Sequence, residues 1–191
     1  MKFVPQAIPE VILIKPTLHG DVRGYFTENF RQDLLQQAVG FPVHFIQENE
    51  SRSSKGVLRG LHFQLPPYAQ SKLVWVIEGS VLDVVVDVRA GSPTYGQYLS
   101  VELSAENRNQ IWIPRGFAHG FVVLSEYATF TYKVDNYYAP EHDRGLSFAD
   151  PDLNIDWQIP ADALKLSEKD QQQPNLAQLP PSFQYGDDLY D

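Results

Sequence analysis

Cysteine is absent from all 191 residues, which removes disulfides, thiolate nucleophiles and thiolate metal ligands together. Long apolar runs are missing too. The longest near the N-terminus, Val11-Ile12-Leu13-Ile14, is too short for a signal-peptide core or a membrane span. Positive charge is scarce: 15 Lys and Arg face 24 Asp and Glu, a net charge of −9. Such a chain lacks the broad basic surface that nucleic acid requires. No stretch matches a Walker loop or a G-x-G-x-x-G dinucleotide fingerprint, and no internal repeat is visible. The expectation is a cytoplasmic protein with neither a nucleic-acid nor a membrane partner.

What is present points to strands. Aromatics make up 13% of the chain, and Val and Ile cluster in short runs between turn signals. Residues 11–15 read as a first strand, followed by a turn at His19-Gly20-Asp21. Arg31 to Val39 reads as a short helix stopped by Gly40. Leu73–Ile77 and Val81–Val88, joined by Glu78-Gly79-Ser80, read as a β-hairpin. Residues 97–103, 111–113, 121–124 and 129–134 add further short strands. Many short strands of this kind predict a mainly β chain, a jelly-roll antiparallel β-barrel with short peripheral helices. Residues 1–191 suit one domain, with 160–191 a C-terminal extension packed on the barrel as a short helix and an extended segment.

Charge is unevenly placed. Residues 1–60 hold seven Lys/Arg against six Asp/Glu, and the remainder holds eight against eighteen. Binding an anion therefore falls to a few local cations, with Arg23 and Arg59 in the near-neutral part.

Two histidine motifs are the first candidates for chemistry. Arg59-Gly60-Leu61-His62-Phe63-Gln64 sets one His in a strand-like stretch. Pro114-x-Gly116-x-x-His119 sets another just after a strand, in a spacing that resembles the second motif of the cupin superfamily of small barrels. Metal-binding cupins add a His-x-His pair and an acidic ligand, whereas here Gln64 and Ala69 occupy those places. Two histidines make a poor first shell, so no metal is expected.

Without a metal, two readings of His62 stay open: a general base oriented by a carboxylate, or a buried His bonded to backbone. Tyr132 shares a strand face with Phe130 and Val134, which fits burial and equally fits a phenol offered to a barrel mouth. Lys72 begins an apolar strand, either as a solvated end or as a buried cation with a partner. Ser167-Glu168-Lys169-Asp170 fits a helix capping box, which gives Asp170 a structural role of its own.

The motif order resembles that of the dTDP-4-dehydrorhamnose 3,5-epimerase family across nearly the whole chain. It runs through Asp21-x-Arg23-Gly24-x-Phe26-x-Glu28, Gln47-Glu48-Asn49, the His62 and His119 motifs, Lys72-Leu73-Val74, Tyr132-Lys133, Asn136-Tyr137-Tyr138 and Leu166-Ser167-x-Lys169-Asp170. The resemblance implies a cofactor-independent isomerase that inverts C3 and C5 of dTDP-4-dehydro-6-deoxy-D-glucose through an enolate, as a homodimer. It implies His62 as base oriented by Asp170, Tyr132 as acid and Lys72 as the cation beside the enolate oxygen. It further implies that Gln47, Asn49, Arg59 and His119 surround the sugar and phosphates. Arg23, Phe26 and Glu28 would lie at the nucleotide, the arginine and glutamate supplied across the dimer interface. Lys169 would lie in the binding site and Tyr138 would stack on thymine. Many relatives carry Glu where this chain has Asp143, one methylene shorter. Three competing readings are a single-carbon epimerase or ketoisomerase, a binding module without turnover, and a metal-dependent cupin oxygenase. The intact His62, Tyr132 and Lys72 disfavour the second, and Gln64 opposes the third.

Overall fold

The computed structural model describes residues 1–190; Asp191, the last residue of the expected extension, lies outside them. The chain forms β1 (Lys2–Pro5), β2 (Ile12–Lys15), β3 (His19–Asp21), β4 (Gly24–Phe26), α1 (Gln32–Val39), β5 (Gln47–Ser54), β6 (Leu58–Gln64) and β7 (Lys72–Glu78). It continues with β8 (Ser80–Asp87), β9 (Arg89–Ala90), β10 (Tyr98–Ser104), β11 (Gln110–Ile113), β12 (Phe117–Val123), β13 (Tyr127–Val134), β14 (Asp143–Gly145), α2 (Glu168–Gln171) and β15 (Phe183–Gln184). One antiparallel sheet has the order β1-β2-β11-β7-β13-β5 and a second β10-β8-β12-β6-β14. The mainly β, antiparallel architecture is as expected. It is two facing sheets, not one continuous ring of strands.

Alternation along the strands builds three apolar layers. Between the sheets lie Val74, Val76, Val85, Leu103, Ile111, Phe121 and Phe130, with the Phe121 and Phe130 rings stacked at 4.1 Å. Truncating a ring in such a place costs about 3–5 kcal/mol. Outside the six-stranded sheet, α1 lays Leu35 on Ile12, Leu73, Trp75 and Trp112. Outside the five-stranded sheet, Leu146, Leu153, Trp157 and Phe183 cover Leu82, Val84 and Ala118. Gly40, at φ 88, ends α1 and gives its N–H to the Gln36 carbonyl, the stop its glycine announced.

Three local expectations need correction. β7 and β8 do not form a hairpin; they belong to different sheets, and the chain crosses between sheets at Gly79. That residue has φ 73, and a Cβ there would sit 2.0 Å from the Tyr127 carbonyl oxygen, so the corner admits only glycine. Both strands are buried on both faces, which leaves no alternation to say which sheet each joins. Second, His19, Gly20 and Asp21 are strand, paired with β4, and the reversal falls on Val22 and Arg23. Third, β12 begins at Phe117, so His119 lies within a strand.

Candidate active site

The site begins where β6 and β12 meet. His119 and His62 are direct partners across this pair, and the register shifts immediately afterwards, between His119 and Phe121. A Cβ on Gly60 would lie 2.6 Å from the Gly120 Cα, so the two backbones touch beside the bulge because neither carries a side chain there. Two imidazoles are thus set side by side on the inner face of the five-stranded sheet.

Each imidazole has its own carboxylate. His62 Nε2 lies 2.6 Å from Asp170 Oδ1, and the other Asp170 oxygen accepts from the Ser167 hydroxyl at 2.8 Å. Burial raises the Asp170 carboxyl, but the bonds from His62 and Ser167 outweigh it and hold the group below its ordinary value. An ionised carboxylate only accepts, so Nε2 is the donor in this contact and Nδ1 is the nitrogen left for the cavity. Ser167 also accepts from the Asp170 N–H, which caps the helix, but the reciprocal bond of a capping box is not made: the Asp170 carboxyl takes the Ser167 hydroxyl and His62 instead.

His119 Nε2 lies 2.8 Å from Asp83 Oδ2. Burial pushes the Asp83 carboxyl up and the His119 imidazole down, since each charge loses water. The second oxygen of Asp83 has no partner among the described residues.

The facing sheet supplies the other polar groups. Lys72, first residue of β7, points its ammonium at the His62 carbonyl, 3.4 Å away. Enclosure lowers the ammonium to about 8, against the opposing pull of Asp143 and Asp83. Tyr132 on β13 is raised by burial, only partly offset by Asn49 and Arg59. These groups line a cavity of about 540 Å³ together with Arg59, Gln70, Tyr138, Asp143 and Lys165. That is a volume suited to a small molecule of drug or cofactor size.

Around the mouth, Arg59 donates to the Ser53 hydroxyl at 3.2 Å. Gln47 donates to Asn49 at 2.9 Å, and Asn49 pairs with Tyr132 across β5 and β13. Tyr138 donates its hydroxyl to Asp143 at 3.1 Å, and Lys169 pairs with the same carboxylate oxygen. Gln64, where a metal ligand was sought, spends its amide on Tyr68, Tyr137 and Ala139 backbone groups and so brackets Tyr138. Among the described residues, no group of three or more His, Asp or Glu is placed to hold a metal ion.

His62, Lys72, His119, Tyr132, Asp170, Arg59, Tyr138 and Asp143 therefore converge, with Gln47, Asn49 and Lys169 beside them. Arg23, Phe26 and Glu28 do not. Arg23 pairs with Asp21 and Glu28 with Arg31, while Phe26 is 67% exposed on the β3–β4 hairpin, away from the cavity of its own chain. Asp83 escaped sequence reading, although a carboxylate within Val81-Leu82-Asp83-Val84-Val85 signals a buried acid that needs a partner.

The comparisons with known proteins all lead to epimerases of dTDP-sugars. The family described as dTDP-4-dehydrorhamnose 3,5-epimerase matches residues 5–178. A dTDP-4-dehydrorhamnose 3,5-epimerase of Pseudomonas aeruginosa is 56% identical over 172 residues, 90% of this chain and 94% of that one. The fold is similar to a Legionella pneumophila dTDP-6-deoxy-D-glucose-3,5-epimerase in complex with dTDP-4-keto-L-rhamnose, at TM-score 0.92 and 45% identity, covering 96% and 98% of the two chains. It is also similar, at TM-score 0.84 and 36% identity over 91% and 87%, to a 3'-monoepimerase from Streptomyces bikiniensis in complex with dTDP-quinovose.

Proposed function

The chain belongs to the dTDP-4-dehydrorhamnose 3,5-epimerase family, and from that premise we propose which of its residues carry the reaction. The protein is an isomerase that epimerises C3 and C5 of dTDP-4-dehydro-6-deoxy-D-glucose, giving dTDP-4-dehydro-L-rhamnose for dTDP-L-rhamnose synthesis. The observation that carries the residue roles is that His62 and Tyr132 stand on facing sheets across one cavity.

The C4 ketone acidifies the hydrogens on C3 and C5, because the carbanion left behind is delocalised as an enolate. His62 takes the proton through its free ring nitrogen, and Asp170 steadies the imidazolium that forms. Lys72 holds its ammonium toward the developing enolate oxygen, a contribution of roughly 10² to 10³-fold in a dry pocket. Tyr132 returns a proton from the opposite sheet, so each carbon inverts. General acid–base transfer of this kind contributes around 10² to 10⁴-fold. His119 and Arg59, with Gln47 and Asn49, bind the sugar and phosphates, and Tyr138 stacks on thymine. Asp143 is engaged by Tyr138 and Lys169, so in this reading it and Lys169 steady the stacking ring at the mouth.

A homodimer completes the site. Val22 and Phe26 are exposed apolar side chains on a projecting hairpin, and covering them by a second copy would bring Arg23, Phe26 and Glu28 to that copy's nucleotide. Residues 1–191 act as one catalytic unit, since the tail supplies Asp170 to a sheet residue. Among the described residues no helix is long and apolar enough to cross a membrane, and the cytoplasm is the proposed compartment.

The test is incubation with dTDP-4-dehydro-6-deoxy-D-glucose in D₂O, followed at C3 and C5 by NMR without added metal or reductant. Deuterium at both carbons with inversion is expected, and incorporation at one carbon alone would make this a mono-epimerase. Tyr132→Phe should keep exchange and lose inversion; normal inversion in that variant would assign the acid elsewhere.

A further inference from the structure

The C-terminal segment crosses from one outer layer of the sandwich to the other. Phe183 is buried against the five-stranded sheet, and the Tyr190 ring lies 4.2 Å from Phe41 on the opposite side. This stretch follows the residues that the family match covers. Where it ends, three chain segments meet. Asp135, three residues beyond Tyr132, accepts from the Ser71 N–H at 2.6 Å and from Arg115 Nε at 3.2 Å. Arg115 lies four residues before His119, and Ser71 immediately precedes Lys72.

Tyr190 closes this cluster. Its hydroxyl lies 2.9 Å from the Ser71 hydroxyl and accepts from the Arg115 N–H at 3.2 Å. Arg115 in turn donates to the Leu189 carbonyl at 2.5 Å and lies over the Tyr190 ring at 4.9 Å. Ser71 is wholly buried, and the Arg115 and Asp135 side chains are 13% and 6% exposed. A buried charged pair with each carboxylate oxygen used has one favourable arrangement and resists small shifts.

We propose that Tyr190 is a positioning residue for Lys72: through Ser71 it fixes the start of β7, so that the ammonium meets the enolate oxygen without searching. The inference rests on the role proposed above for Lys72. Lys72 itself faces His62 on β6, Asp83 on β8, His119 on β12, Tyr132 on β13 and Asp143 on β14. None of these bonds to Ser71, so the hydroxyl of Tyr190 reaches the site through the backbone of one residue.

Tyr190→Phe removes that hydroxyl and keeps the ring on Phe41 and under Arg115. Turnover of the dTDP-sugar, dTDP affinity by calorimetry and the pH profile of kcat/KM are measured beside wild type and Lys72→Ala. The expected result is a roughly tenfold lower kcat, dTDP affinity within twofold, and an alkaline limb moved upward from about 8 as water reaches the ammonium. Ser71→Ala should reproduce the loss, and the double variant should lose no more than either single one. Unchanged kcat and pH limb in Tyr190→Phe, whatever happens to Tm, would overturn the inference. So would equal loss of dTDP binding, which marks general disruption, or an active Lys72→Ala. A wild-type enzyme without isotope exchange would instead sink the epimerase reading.

Discussion

Two His–Asp pairs stand side by side on one sheet, and they are not equivalent. At His62 the carboxylate comes from the first turn of a distant helix and accepts from both the imidazole and the capping Ser167, so it stays ionised. At His119 the carboxylate comes from the middle of β8, accepts one bond and leaves an oxygen unpaired, so burial dominates and raises it. Distance does not separate the pairs; depth of burial and hydrogen-bond count do. A carboxylate with several donors is fit to stabilise an imidazolium, whereas one starved of donors resists carrying charge. The comparison fits the proposed roles, with His62 as the proton carrier and His119 as a neutral binding group.

His62→Ala is the severest way to break this asymmetry. About a 10⁴-fold loss of turnover is expected, with dTDP binding by calorimetry retained; epimerisation at both carbons in that variant would reassign the base. Asp170→Asn should cost roughly 10² to 10³-fold in kcat, because an amide in place of the carboxylate no longer stabilises the imidazolium. If Asp83→Asn cost as much, the pairs would be interchangeable and the comparison would fail.

Alkaline pH gives an intermediate effect. In its proposed role Lys72 acts as the ammonium, so kcat/KM should fall tenfold for each unit above about 8. The same depressed value means that the unfolded chain binds the extra proton between that pH and the ordinary lysine range. Stability due to this group therefore rises with pH while activity falls. Chemical denaturation measured at several pH values checks that opposition.

Asp83→Asn should lower turnover only several-fold and leave Tm unchanged or slightly raised, since a buried carboxylate with an unpaired oxygen is removed. Loss of that charge should also move the alkaline limb downward, because Asp83 helps keep Lys72 protonated. Smallest is Ser167→Ala. It removes a cap and one of the bonds to Asp170, for about 1 kcal/mol of stability and a few-fold in kcat, read by thermal unfolding and steady-state kinetics.

Much of this was legible in advance. Gly40 announced the end of α1, and Ser167-Glu168-Lys169-Asp170 announced a helix cap, because stops and caps act over a few residues. The residue types for proton abstraction were readable too, with an ordered motif set assigning them to one family. The partner of β7 was not readable. Its apolar run fits either sheet, and only the crossing at Gly79 shows that the neighbouring strand belongs to the other layer.

The sequence alone determined the mainly β character, the stop of α1 and the cap of α2, and the supply of the histidine, tyrosine and lysine proposed as base, acid and cation. Tertiary structure decided which of them meet. His62 and Asp170 are separated by 108 positions, and His62 and Tyr132 face each other only because their strands fall in opposite sheets. Tertiary structure likewise gave one carboxylate more donors than the other, and it left the β3–β4 hairpin outside the cavity. The physical reason is range: backbone hydrogen bonding and side-chain caps are settled within a few residues, whereas sheet membership and desolvation depend on how the entire apolar surface is buried.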